Sequence, residues 1–146
     1  MPPPRTLALD VGDRRIGLAI TDELGILAIP LFTLHRTNER ADLKSIARFI
    51  RQHKVEVLVV GNPLNADGTV SAQSLKTQHF ADTLREQHPT LEHHFLDERH
   101  TTQEAHERLN QSGASSRLNN KNSRLTRTEI IDQVAAVVLL ESFLSR

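Results

Sequence analysis

The stretch Thr6-Leu7-Ala8-Leu9-Asp10-Val11-Gly12-Asp13-Arg14-Arg15-Ile16-Gly17-Leu18-Ala19-Ile20 decides the fold. Thr6 to Val11 reads as a buried strand, and Ile16 to Ile20 as a second one. The turn-forming run Gly12-Asp13-Arg14-Arg15 between them predicts a hairpin. Asp10 therefore sits at the end of a buried strand, where a carboxylate is either a turn residue or a functional group; locally the two readings weigh equally.

Outward from this hairpin, Asp22-Glu23-Leu24-Gly25 is a further turn signal, and Ile26 to Leu34 reads as a third strand, completing an antiparallel meander. The apolar period then changes. Asn38 or Thr37 is placed to cap a helix with the stripe Leu43, Ile46, Ala47 and Ile50. Val55 to Val60 is a β-branched run ending at Gly61-Asn62-Pro63. A second helix carries Phe80, Ala81 and Leu84 on one face. Leu91 to Leu96 is a fifth strand, ending at Asp97-Glu98-Arg99. Thr101-x-x-Glu104 and Thr126-x-x-Glu129 fit capping boxes for two last helices, one stopping near Gly113 and the other running to about Leu144. The order β-β-β-α-β-α-β-α-α implies an α/β fold with a mixed sheet, whose later strands run parallel to the first. With 146 residues and no internal boundary or repeat, residues 1–146 read as a single domain.

Composition narrows the chemistry. The absence of Cys excludes disulfides, thiolate metal sites and Cys nucleophiles, and it suits a reducing cytoplasm. Met1 to Arg5 is not followed by the apolar run of a secretory signal. The apolar stretch from Ile130 to Leu144 is too short to span a bilayer and contains Asp132 and Glu141. Formal net charge is zero, so any affinity for nucleic acid must come from local charge.

Ligands in open α/β sheets bind beyond the carboxyl ends of parallel strands. Those ends carry Asp10, Gly61-Asn62 and Asp97-Glu98, and a helix packed across the sheet would add Asp132. Carboxylates without Cys suit a hard cation, Mg²⁺ or Mn²⁺, which can activate water for phosphodiester cleavage. The plainer readings are surface charges for Asp97 and Glu98 and helix-dipole partners for Glu129 and Asp132. His93, His94 and His100 make a poor metal set, because adjacent strand residues point to opposite faces. The acid-free segment from Ala114 to Thr128, with Arg117, Lys121, Arg124 and Arg127, is either a solvated loop or a phosphate-contacting one. Arg14, Arg15 and Arg99 lie near the same edge and could also hold phosphates.

Four segments together resemble the YqgF family, described both as Holliday junction resolvases and as pre-16S rRNA nucleases. They are Leu9 to Ala19; Gly61-Asn62-Pro63-Leu64-Asn65 with Asp67-Gly68-Thr69; Asp97-Glu98-Arg99 with Thr101, Thr102 and Ala105; and Ile131-Asp132 with Ala135, Ala136, Leu139 and Leu140. The departures are His100, where the family usually has Leu, and a longer loop before Asp132. The resemblance implies a ribonuclease H-like fold, a five-stranded sheet in the order 3-2-1-4-5 flanked by helices, and Asp10, Glu98 and Asp132 as catalytic and metal-binding acids. Asn62 joins the expected nucleic-acid contacts. Also implied are a cytoplasmic role in maturing the 5′ end of 16S rRNA, ribosomal particles as partners, and a monomer or homodimer. Cleavage of branched DNA and a non-catalytic nucleic-acid-binding module are the alternatives; half of an actin-like ATPase would need a second lobe.

One geometric condition follows from that sheet order. Neighbouring strands lie about 4.8 Å apart, so strands one and five are separated by roughly 10 Å. Asp10 and Glu98 can meet only if the Glu98 side chain leans inward across Gly61.

Overall fold

The computed structural model describes residues 3–98, 107 and 125–146. Its elements are β1 (Arg5–Val11), β2 (Arg15–Thr21), β3 (Ala28–His35), α1 (Glu39–His53), β4 (Val55–Asn62), α2 (Ala72–Gln87), β5 (Glu92–Asp97) and α3 (Arg127–Leu144). Of the helix expected from Thr101 to Gly113, Glu107 alone is among the described residues, and it is helical; the rest lies outside them.

The sheet order is β3-β2-β1-β4-β5, with β2 antiparallel to β1 and β3, and β1, β4 and β5 mutually parallel. Alternation along the strands creates two different faces. Leu7, Leu9, Val11, Ile16, Leu18, Ile20, Leu58 and Val60 join Leu43, Ile46 and Ile50 of α1 and Phe80, Ala81 and Leu84 of α2 in the larger core. Ala8, Ala19, Val57 and Val59 face the other way, against Ala136, Leu139 and Leu140 of α3. The small side chains of Ala8 and Ala19 let α3 approach the middle of the sheet.

The helices begin where their capping residues stand. Asn38 Oδ1 accepts from the backbone N–H of Ala41 at the start of α1, and Ser71 Oγ from that of Ser74 at the start of α2. Thr126 and Glu129 form the reciprocal capping box expected for α3. Glu129 is held low in pKa by its hydrogen bond from His35 and by those from Thr126.

β3 starts later than expected. Asp22 Oδ1 accepts the backbone N–H groups of both Ile26 and Leu27, at 2.8 and 3.0 Å. That capture keeps the two residues out of the strand ladder and leaves their side chains 70% and 60% exposed. No helix among the described residues is long and apolar enough to cross a membrane.

Candidate active site

The acidic site begins with the β1–β2 turn. Gly12 N–H donates to Arg15 O at 2.9 Å, closing the turn and fixing the hairpin register so that Asp10 pairs with Gly17. Asp10 follows Ala8 on the face covered by α3. On one side of it is Gly17 of β2; on the other is β4, whose Val60 pairs with Leu9 and is followed by Gly61.

Each of these glycines makes room for another acid. A Cβ at Gly17 would collide with the backbone carbonyl of Asp132, so the bare glycine is what lets the first turns of α3 rest on β2. A Cβ at Gly61 would collide with the carboxyl group of Glu98, coming within 2.8 Å of Oε1. The Glu98 backbone N–H donates to Asn62 O at 3.0 Å, extending the β4–β5 pairing by one residue. From that anchor the side chain crosses Gly61 and hydrogen-bonds to the carboxyl of Asp10. The inward lean required by the strand spacing is thus present.

The electrostatics reflect this convergence. Burial, the Asp10 charge and the hydrogen bond to Asp10 push the Glu98 carboxyl up to about 10, with a further contribution from Asp97. Burial also raises Asp10, helped by the nearby charge of Asp132 and opposed by the hydrogen bond from Glu98. The hydrogen bond between them raises Glu98 and lowers Asp10, so of the two carboxyls Glu98 is the donor side of the pair. Asp132 is differently compensated: Arg15 Nε donates to its Oδ2 at 2.7 Å. Asp10, Asp132 and Arg15 line an open cleft of about 340 Å³ together with Gly12, Asp13 and Arg14.

The expected site residues therefore divide. Asp10 and Glu98 are in contact, and Asp132 faces the same cleft but is bound to Arg15. Arg14 is exposed on the cleft rim. Asn62 is a fixture of the scaffold: its Oδ1 accepts from Ser74 Oγ at 2.5 Å. Arg127 is exposed at the start of α3. Arg99, Arg117, Lys121, Arg124 and His100 lie outside the described residues. His93 and His94 diverge, one ring nitrogen meeting His88 O and the other Glu92 Oε2, each at 2.8 Å. Gly17 is the contributor that sequence reasoning missed. A glycine inside a strand, paired through a tight turn with an acidic residue, was the available signal.

Among the described residues, no three His, Asp or Glu side chains are gathered as a ready set of metal ligands. The donors nonetheless fit a hard cation. Asp10 and Glu98 place two half-buried carboxyl groups together where both cannot ionise without compensation, and Asp132 lines the same cleft as Asp10 while its carboxylate is held by Arg15.

Comparison with known proteins gives this arrangement a context. Residues 4–146 match the family described as RuvX: Holliday junction resolvase. A Koribacter versatilis protein named as a pre-16S rRNA nuclease is 41% identical over 142 residues, covering 97% of this chain and 87% of its own length. A Clostridium tetani protein of the same name is 38% identical over 142 residues, with 96% and 95% covered. Among solved structures, Thermus thermophilus RuvC in complex with a Holliday junction substrate superposes with a TM-score of 0.58 at 9% identity, covering 99% of this chain and 96% of that one. The yeast mitochondrial Holliday junction resolvase Ydc2 gives 0.59 at 11% identity, covering 99% and 79%. At those identities the likeness is one of fold, and the fold is ribonuclease H-like, as the sequence led us to expect.

Proposed function

Because this chain belongs to the RuvX family, we propose that it is a divalent-metal-dependent endonuclease acting on structured nucleic acid through Asp10, Glu98 and Asp132. It is a hydrolase of phosphodiester bonds, in keeping with the nuclease names of its relatives. The observation that carries the residue assignment is the approach of Glu98 across Gly61 to Asp10. Three acids, from β1, the end of β5 and α3, are carried towards the same edge of the sheet.

Asp10, Glu98 and Asp132 would hold Mg²⁺ or Mn²⁺. The cation would neutralise their combined charge, activate water and stabilise the leaving oxygen. The protein's own contribution is geometric. Two glycine notches bring the acids together, the β4–β5 pairing fixes the Glu98 backbone, and Arg14 and Arg15 supply positive charge where a phosphate would lie. Arg99, Arg117, Lys121, Arg124 and Arg127 are proposed to extend that contact along the substrate.

The preferred substrate is precursor 16S rRNA, cleaved in maturing its 5′ end on ribosomal particles in the cytoplasm; the names of the relatives support this. A four-way DNA junction is the second reading, supported by the family description. Both offer the same phosphodiester to the same carboxylates. The test is cleavage of each substrate with Mg²⁺ or Mn²⁺ by the wild type, Asp10→Asn and Asp132→Asn. Cleavage confined to the RNA and lost in both variants is expected. Retained activity in either variant would remove these acids from the mechanism, and binding without cleavage by the wild type would favour a non-catalytic module.

A further inference from the structure

Arg15 stands in the cleft with a double commitment. It is the first residue of β2, and its backbone is locked by pairing to His35 and by the Gly12 hydrogen bond. Its side chain meets Asp132 through Nε alone, at 2.7 Å. Among the described residues, the two terminal guanidinium nitrogens make no further hydrogen bond. The pair is partly open to solvent, with side-chain exposures of 31% for Arg15 and 21% for Asp132. Such a pair is a modest restraint that can be broken. The carboxylate that Arg15 holds is the third acid of the proposed set, and among the described residues the three acids are not gathered as metal ligands.

We propose that Arg15 is a positioning residue that exchanges partners: it holds Asp132 while the site carries no metal, then yields that carboxylate to a divalent cation and turns its guanidinium to a substrate phosphate. This rests on the metal-dependent reading of the site given above. The exchange follows from charge. A cation bound by Asp10, Glu98 and Asp132 takes up the negative charge that attracts Arg15 and repels the guanidinium in turn. A phosphodiester approaching the cation then offers the fork of Arg15 an anionic partner of matching geometry. The ion pair keeps Asp132 pointed into the cleft before loading, and it sets a threshold that metal must overcome.

The experiment is calorimetric titration of Mn²⁺, without nucleic acid, into wild type, Arg15→Gln, Arg15→Lys, Asp10→Asn and Asp132→Asn, each checked for folding by circular dichroism. Losing the competing cation should tighten Mn²⁺ binding in Arg15→Gln by about two- to fivefold, the size of a partly exposed ion pair. Arg15→Lys, which keeps the charge, should stay near the wild type. The same Arg15→Gln protein should bind precursor rRNA more weakly in Ca²⁺. In parallel, the Arg15 Nε–H resonance of the wild type should shift on adding Mg²⁺. Unchanged or weakened Mn²⁺ affinity in Arg15→Gln, while Asp10→Asn loses it, would overturn the exchange and leave the metal site standing. Wild type and Asp10→Asn binding Mn²⁺ equally poorly would instead overturn the metal reading, and the exchange with it.

Discussion

The carboxyl group of Glu98 lies where a side chain at position 61 would otherwise be. Position 61 is thus part of the site although it contributes no side chain. The width of the strand between Asp10 and Glu98 is bridged only because β4 carries a glycine at that point. Gly61→Ala should displace the Glu98 carboxyl while leaving the apolar core intact. The expected result is a fall in cleavage rate of about 100-fold, the cost of misplacing a reacting group by about 1 Å, with little change in melting temperature. Parallel rate and thermal-unfolding measurements check it.

Gly17→Ala should behave differently. Its Cβ meets the backbone of Asp132 rather than a movable side chain. Helix α3 must therefore shift away from β2, at a cost of about 1–3 kcal/mol. Chemical denaturation should show this loss, and activity should fall as well, since Asp132 moves with the helix.

The Asp10–Glu98 pair makes the metal-free protein sensitive to pH. Glu98 rises from an ordinary value of 4.5 to about 10 in the folded chain, chiefly through burial and then through Asp10. The folded state therefore binds this proton more tightly than the unfolded state does. Its stabilising contribution is complete below 4.5 and is lost as pH rises through the window up to about 10. In the presence of chelator, stability should decline with pH across that window, and Glu98→Gln, which mimics the protonated form, should flatten the decline. A chelator-treated wild type whose unfolding free energy rises between pH 6 and 9 by more than that of Glu98→Gln would contradict this sign.

The capping box of α3 links stability to the site in a milder way. Thr126 Oγ1 accepts from Glu129 N–H at 3.2 Å, and Glu129 Oε1 accepts from Thr126 N–H at the same distance. Thr126→Ala should cost about 1 kcal/mol. Because Asp132 sits within the first two turns of this helix, fraying there should weaken Mn²⁺ binding more than a cap deletion at Asn38 of α1 does. Thermal unfolding and calorimetry of the two variants make the comparison.

Much of this was legible in the sequence for reasons that can be named. The five strands announce themselves as short apolar runs bounded by turn signals, the β-branched Val55 to Val60 most plainly, and the parallel arrangement follows from helices inserted between the later ones. Local sequence left Asp10 evenly divided between a turn residue and a functional group and favoured a surface charge for Glu98; the family resemblance singled both out, and strand spacing then set the lean of Glu98 as a condition. Three features were hidden. The start of β3 was misplaced because the apolar Ile26 and Leu27 imitate a strand, while the Asp22 side chain takes their N–H groups. Arg15 was read as a phosphate contact, yet in the structure it meets Asp132, 117 residues away in the chain; that pairing depends on where α3 crosses the sheet. Gly17 escaped notice for the same reason, since its role appears only once the Asp132 backbone is laid against it.

The central claim is that Asp10 and Glu98 form one cation site, joined by Asp132. Anomalous diffraction from crystals soaked in Mn²⁺ tests it most directly. A peak about 2.0–2.5 Å from carboxylate oxygens of Asp10, Glu98 and Asp132 is the result this account predicts. Density elsewhere, or a Glu98 side chain turned away from Asp10 across an empty Gly61 notch, would contradict it.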